Sequence, residues 1–220
     1  MKERAGTVFS IAKTDRPVPG CTISRPIWQT KDYSISHFSL AGGTTISPES
    51  YRYSNLWICL DGDLRPIALH GERAFAALHP GDAFLTPVQT PVGSASEGGC
   101  VYTSIQLKED TKMNNLLHAG EIFSLKDLIP YQEGRIVNMD LIDDDKLKLV
   151  LMSFDAGTGL PEHAAPGEAL IFALDGEAVI GYEGKQYPIH AGENFKFDKG
   201  GAHSVTASQQ FKMALLLTLE

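Results

Sequence analysis

The chain has few cysteines and no long apolar run, which argues against a disulfide-rich or a membrane-spanning protein. Three cysteines, Cys21, Cys59 and Cys100, are widely spaced among 220 residues. We therefore expect reduced thiols, without a CxxC metal pair or a disulfide framework. No run approaches the roughly 18 apolar residues that a membrane span requires. The first residues, MKERAGTVFSIAKTDRP, are charged and lack the apolar stretch of a secretory signal. These features predict a cytoplasmic protein that does not contact a membrane.

Basic residues are scarce relative to acidic ones. The chain contains 19 Lys and Arg against 27 Asp and Glu, which gives a net charge of −8. No cluster of Lys and Arg offsets this balance, so the sequence excludes an ordinary nucleic-acid-binding surface. Hydrophobic residues make up 43% of the chain, enough for a core of normal size. A small molecule is the partner class that remains.

Turn-forming residues are abundant and separate short β-like runs. There are 21 Gly and 12 Pro, and short strands at regular spacing with turn signals predict an all-β sandwich or barrel. The predicted strand segments are Ser34–Leu40, Leu56–Leu60, Val101–Leu107, Lys148–Phe154, Ala169–Leu174, Ala178–Tyr182 and Lys212–Thr218. The acidic run Asp143–Asp145 is predicted to form a hairpin turn.

Three sequence matches reveal an internal repeat at nearly constant offset. GTVFSI from Gly6 matches GEIFSL from Gly120, and WICLDG from Trp57 matches IFALDG from Ile171, both 114 residues later. LHPGDAF from Leu78 matches IHAGENF from Ile189, 111 residues later. Such order and spacing predict two copies of one β domain. We place the N-terminal copy at residues 1–110 and the C-terminal copy at residues 111–220.

A short helical linker is predicted between the copies. Lys112–His118 follows a possible N-cap at Asp110 or Thr111 and precedes Gly120 as a C-cap. Ser124 and Asp127 are expected in one more helical turn. The repeat-matched His79 and His190 are expected to share a turn hydrogen bond, and His70 is expected in an exposed hairpin turn.

The C-terminal copy contains residues suited to holding a metal. His163 lies at the entry of a strand, Glu168 follows five residues later, and Gly200-Gly201 would allow a tight turn that directs His203 into a barrel mouth. The Pro166-Gly167 break can change which face Glu168 presents. Two imidazoles and a carboxylate suit Fe, Mn, Ni, Zn or Cu and leave positions open for substrate.

These residues resemble the cupin superfamily, specifically a two-domain bicupin. Its first motif is Gly, five residues, His-x-His, three or four residues, Glu, six residues and Gly, and its second is Gly, five residues, Pro-x-Gly, two residues, His, three residues and Asn. His163, Glu168 and Gly176 match the first motif, with Ala165 in place of the second histidine. In the second motif, Gly192, Gly200 and His203 match. Asp198 stands in place of Pro, and Ala207 stands in place of Asn.

The resemblance implies two tandem jelly-roll barrels and a divalent transition metal, Fe, Mn, Ni, Zn or Cu, at His163, Glu168 and His203. It also implies association as a homodimer. Two functions stay open. One is a metal-dependent dioxygenase or isomerase of a small oxygenated molecule, and the other is a non-catalytic binding or sensing protein with a weak or absent metal. No Ser-His-Asp or Cys-His set appears in the motif region, so no separate catalytic residue is identified. The fold does not choose between the functions, since the same barrel supports many activities.

The N-terminal copy lacks most of these residues. Glu49 or Ser50 corresponds to His163, Tyr51 to Ala165 and Ser54 to Glu168, while Thr90-Pro91-Val92 replaces His203. We therefore expect no metal there, and a role as scaffold, dimer surface or apolar pocket.

Overall fold

The computed structural model describes residues 1–69 and 75–219, and His70 lies outside these ranges. Within them the regular secondary structure is mostly strands, together with a short helix, α1 (Ile11–Thr14), and a 3-10 turn at Leu125–Asp127. None of the helices in the described ranges is long and apolar enough to cross a membrane. This strand content confirms the all-β prediction. The chain divides into two compact units.

The C-terminal unit consists of Met1–Ser10, Thr111–Asn114 and Leu125–Glu220. Its strands are β1 (Val8–Phe9), β11 (Ile136–Asp143), β12 (Leu147–Phe154), β13 (Gly159–Ala164), β14 (Glu168–Tyr182), β15 (Lys185–His190), β16 (Asn194–Phe197), β17 (Ala202–Thr206) and β18 (Phe211–Thr218). The main order is β1-β16-β14-β18-β12-β11. The first half of β14 pairs with β16 and β18, and its second half pairs with β15 and β17. This long strand therefore joins both layers of an antiparallel barrel.

The N-terminal unit consists of Ile11–Asp110 and Asn115–Ser124. Its strands are β2 (Thr22–Gln29), β3 (Ser34–Leu40), β4 (Thr44–Ser50), β5 (Asn55–Gly62), β6 (Arg65–Ala68), β7 (Asp82–Leu85), β8 (Pro91–Ser96), β9 (Cys100–Gln106) and β10 (Ile122–Ser124). They form a sheet in the order β10-β7-β5-β9-β3-β2 and a second in the order β4-β8-β6.

The repeated segments GTVFSI and GEIFSL each complete the sheet of the opposite copy. Strand β1 pairs with β16 through Val8 and Phe195, and β10 pairs with β7 through Ile122 and Phe84. The units consequently differ from the ranges 1–110 and 111–220 by an exchange of short segments.

The helix predicted over Lys112–His118 is absent from the structure. Met113 instead forms an isolated bridge to Ile142, and the Asn114 backbone N–H donates to the Leu141 carbonyl. The Asn114 side chain also donates to the Asp140 carbonyl. These tertiary hydrogen bonds replace the helical ones that local propensity favoured. The 3-10 turn at Leu125–Asp127 matches the second helical turn expected there.

The repeat-matched histidines have the turn role expected for them. The His79 backbone N–H donates to the Asp82 carboxylate at 2.9 Å, and the His190 backbone N–H donates to the Glu193 carboxylate at 2.9 Å. Both are four-residue turns in which the acidic side chain of the fourth residue accepts the hydrogen bond from the first. The shared sequence at these positions therefore reflects a shared turn.

The cysteines are expected to differ sharply in reactivity. Burial raises the pKa of Cys59 to about 12 and that of Cys100 to about 11, while Cys21 is exposed. Because the thiolate is the reactive form, an aromatic disulfide reagent at pH 8 should label one thiol in the native protein and three after denaturation. Cys21→Ser should abolish the native reaction. Rapid native labelling of that variant would contradict this assignment.

Candidate functional site

Two histidines face each other at the mouth of the C-terminal barrel. Strands β13 and β17 are antiparallel, with His163 directly opposite His203. Directly opposite residues share one face of a sheet, and the two ring centroids are 4.1 Å apart with an interplanar angle of 51°. His163 is exposed and His203 is buried. The structure therefore brings together two of the three predicted metal ligands.

Backbone carbonyls orient both imidazoles in the same way. Nδ1 of His163 is 2.9 Å from the Pro161 carbonyl, and Nδ1 of His203 is 3.1 Å from the Gly201 carbonyl. A carbonyl oxygen only accepts hydrogen bonds, so each Nδ1 carries the proton and, in the neutral ring, each Nε2 is an acceptor. Both rings thus present a lone pair for a ligand.

Burial keeps His203 neutral. Desolvation lowers its pKa below 6.5, the hydrogen bond to the Gly201 carbonyl opposes this effect, and the neighbouring His163 lowers the pKa further. A buried imidazole beside a second imidazole gains little from protonation. At neutral pH, His203 is therefore able to accept a hydrogen bond through Nε2.

Aromatic rings form one wall beside the histidine pair. The His203 ring stacks on Phe197, with centroids 4.1 Å apart and an interplanar angle of 27°. Tyr182 lies opposite His203 in the pairing of β14 with β17, and its ring is 5.5 Å from that of Phe197. A Cβ at Gly201 would lie 2.6 Å from the Tyr182 ring. Glycine at this position therefore keeps the tyrosine beside the pair.

Glu168 lies on the opposite face of β14 from the barrel interior. Ala169, Ile171 and Ala173 belong to the interior core cluster, and alternate residues of a strand share a face. Glu168 therefore points away from that interior. The first cupin motif has six residues between its glutamate and its closing glycine. Counted back from Gly176, this spacing places the glutamate position at Ala169 rather than Glu168, so the sequence already indicated that Glu168 is not the motif glutamate.

Two cations engage the Glu168 carboxylate. Lys196, which is 4% exposed, places Nζ 2.6 Å from Oε1 of Glu168 and 2.7 Å from Oδ1 of Asp198, while the Met1 amino group contacts Oε2. Burial raises the pKa of Glu168, but the hydrogen bonds and charges of Lys196 and the amino group exceed this effect and lower it overall. Glu168 is consequently an ionised partner of Lys196.

The predicted three-residue metal set does not fit a metal in this arrangement. His163 and His203 are adjacent, but Glu168 lies on another face, and the interior Ala165 and Ala169 supply no donor atom. Residues 1–69 and 75–219 contain no group of three or more His, Cys, Asp or Glu that could hold a metal ion. The imidazoles of His163 and His203 are thus the groups at the mouth of the C-terminal barrel that could bind a ligand.

The same position in the N-terminal barrel lacks histidine. Strands β4 and β8 pair Glu49 with Val92, the arrangement that pairs His163 with His203 in the other unit. Glu49, rather than Ser50, therefore corresponds to His163, and Val92 corresponds to His203.

Two residues that matter for the sites, Asn55 and Lys196, were missed by sequence reasoning. The 114-residue offset that relates Asn55 to Ala169 could have revealed the first of them.

Comparison with known proteins agrees with this fold. Residues 150–219 match the family model described as Cupin domain. A Cupin 2 conserved barrel domain protein from Leptotrichia buccalis is 25% identical with a TM-score of 0.84, covering 99% of this chain and 98% of that chain. Among proteins with curated functions, none matches the sequence.

More distant structures share the fold alone. A putative glyoxylate induced protein from Pseudomonas aeruginosa is 13% identical with a TM-score of 0.59, covering 90% of this chain and 79% of that chain. Salicylate 1,2-dioxygenase from Pseudoaminobacter salicylatoxidans, in adducts with gentisate, is 11% identical with a TM-score of 0.62, covering 96% and 80%. The matched segment 150–219 and the barrel fold shared with these structures together support the cupin superfamily for this chain.

Proposed function

We propose that the C-terminal barrel binds a small organic molecule through Nε2 of His163 and His203, without a catalytic metal. The observation that supports this function is the histidine pair, whose Nδ1 atoms are both committed to backbone carbonyls. Two neutral acceptors side by side recognise a ligand that carries adjacent hydrogen-bond donors. The Phe197 and Tyr182 rings favour a ligand with a flat apolar part. A molecule such as a catechol has both features.

Binding is favoured over metal-dependent catalysis by the position of Glu168. Its ion pair with Lys196 removes the carboxylate that a metal set would need. The dioxygenase comparison shares the fold at 11% identity and supplies no ligand residue for this chain. A non-catalytic binding or sensing role therefore accounts for the arrangement more directly than oxygenase or isomerase chemistry.

Calorimetric titration with catechol tests this function. We expect the wild type to bind catechol, and His203→Ala to weaken binding about tenfold, since a lost hydrogen bond costs about 1 kcal/mol or more when its partner stays buried. His190→Ala, which removes an exposed histidine of the same unit, is the matched control and should bind like the wild type. Equal binding by His203→Ala and the wild type would refute the role of the pair.

Elemental analysis of protein purified without chelator separates the two functions. We expect no stoichiometric Fe, Mn, Ni, Cu or Zn in the purified protein. Near one equivalent of metal, lost in the His163→Ala/His203→Ala variant, would overturn the metal-free site and support the enzyme.

A further inference from the structure

The core face of the N-terminal barrel carries a row of polar side chains where the C-terminal barrel is apolar. In the pairing of β3, β9 and β5, Ser36 lies opposite Ser104, Ser104 opposite Trp57, and Asn55 opposite Gln106. Trp57 belongs to the core cluster of this unit. Because opposite residues share a face and alternate residues of β5 do too, these polar side chains lie on the core face. We refer to Ser36, Asn55, Ser104 and Gln106 as the polar belt.

The corresponding C-terminal positions are all apolar. Val150 and Ile171 lie opposite Leu215, and Ala169 lies opposite Leu217, which reproduces the N-terminal register. All of these residues belong to the C-terminal core cluster or pack against it. Ser36 therefore takes the place of Val150, and Ser104 that of Leu215. Likewise, Asn55 takes the place of Ala169, and Gln106 that of Leu217. Packing of the barrel alone does not require polar residues at these positions.

Asn55 is buried without full hydrogen bonding. Its residue is 5% exposed, and Nδ2 has no hydrogen-bond partner among the described residues. The backbone is fixed at this point, since the Asn55 N–H donates to the Thr86 hydroxyl and the Thr86 N–H donates to the Asn55 carbonyl. An unsatisfied buried amide is costly, so its presence on the core face points to a ligand that accepts a hydrogen bond.

The belt extends from the interior to solvent. Gln106 is exposed, Ser36 is half-buried, and Ser104 and Asn55 are buried deeper. None of the four side chains carries a charge. A ligand with a net charge would therefore find no countercharge within the belt, whereas hydroxyl groups would find amides and hydroxyls to exchange hydrogen bonds with.

We infer that the N-terminal barrel is a second binding site, and that it takes a neutral polyhydroxylated molecule such as a sugar or polyol. Asn55 Nδ2 donates to a ligand hydroxyl oxygen in the interior. Ser36, Ser104 and Gln106 exchange hydrogen bonds with further hydroxyls towards the mouth. The site is separate from the histidine pair and independent of the function proposed for it.

Side-chain amide NMR tests this inference with D-xylose and myo-inositol at tens of millimolar, and with sodium acetate as the charged probe. The Asn55 amide signal is identified by its loss in Asn55→Ala. We expect one or both polyols to shift this signal saturably and acetate to leave it unchanged. The shift should persist in His203→Ala, which separates it from ligand binding at the C-terminal barrel. Absence of a shift with both polyols, or a response to acetate alone, would overturn the proposal.

Thermal unfolding without ligand provides the second measurement. Removing an unsatisfied amide should leave the Tm of Asn55→Ala equal to that of the wild type or raise it by a few degrees. Asn194→Ala is the matched control, because Asn194 is 4% exposed and its Nδ2 donates to the Ile171 carbonyl at 3.1 Å. That variant should unfold at a lower temperature. A comparable loss of Tm in Asn55→Ala would make Asn55 a structural residue and refute its role in binding.

Discussion

Gly176→Ala should destabilise the protein by roughly 3 kcal/mol or more, the sum of a left-handed backbone penalty and a forced shift of packed backbone. Gly176 has φ +68°, and a Cβ there would lie 1.8 Å from the Gln210 carbonyl oxygen. The obstacle is the backbone carbonyl of the residue just before β18, which pairs with β14 at this point, and it cannot rotate away as a side chain could. Chemical denaturation monitored by circular dichroism measures the loss.

Gly184→Ala separates the two contributions. Gly184 has φ +74° but no atom within 4 Å of an added Cβ, so we expect only the backbone penalty of about 1 kcal/mol. Equal losses in the two variants would show that the contact with Gln210 is unimportant. The same contact occurs at Gly62, whose added Cβ would lie 1.9 Å from the Gly99 carbonyl oxygen. The repeated Leu-Asp-Gly sequence thus has a steric cause in both units.

Glu168→Gln should cost about 2–3 kcal/mol of unfolding free energy, the usual range for a hydrogen bond to a buried charge. The substitution leaves Lys196, at 4% exposure, with Asp198 as its remaining carboxylate in the described contacts. Adding Lys196→Met should recover much of the loss, because the double variant no longer contains the buried Lys196 ammonium. Urea denaturation of the single and double variants measures both effects.

The same pair should make stability depend on pH. The pKa of Glu168 is below its ordinary value of 4.5 in the folded chain, so the pair stabilises the protein above that pH and loses its effect as the pH falls through the folded-state pKa. Glu168→Gln should lack this part of the acid transition. Asp143→Asn, which breaks the exposed pair with Lys148, is the control and should cost less than about 1 kcal/mol. Similar losses in both variants would show that the Glu168–Lys196 pair contributes no more than an exposed pair.

Spacing and repeats predicted much of the fold. The run Ser34–Leu40 coincides with β3, and the runs Ala169–Leu174 and Ala178–Tyr182 are both parts of β14. The repeat did not predict which copy the segments GTVFSI and GEIFSL each pair with, because both copies contain an equivalent strand. For β1 that choice depends on contacts such as Phe9 with Asn194, far apart in the sequence, which local patterns do not encode.

The candidate site was predicted only in part, for a reason that lies in strand parity. His163 and His203 meet because two strands pair in register. Glu168 follows the Pro166-Gly167 break, where the alternation of faces restarts, so its distance in sequence from His163 does not fix its direction. The polar belt was missed because its residues lie on three strands and become a group only through their pairing.

The placement of β1 has a consequence for how the protein folds as it is synthesised. Phe9 leaves the ribosome early, but its partner Asn194 follows about 185 residues later, which at usual synthesis rates is a delay of roughly 10–40 seconds. The edge of β16 can be covered by β1 only after both segments have emerged. Because such long-range closure is slow, we infer that pairing of β1 is a late event in folding, after the remainder of the C-terminal barrel has formed.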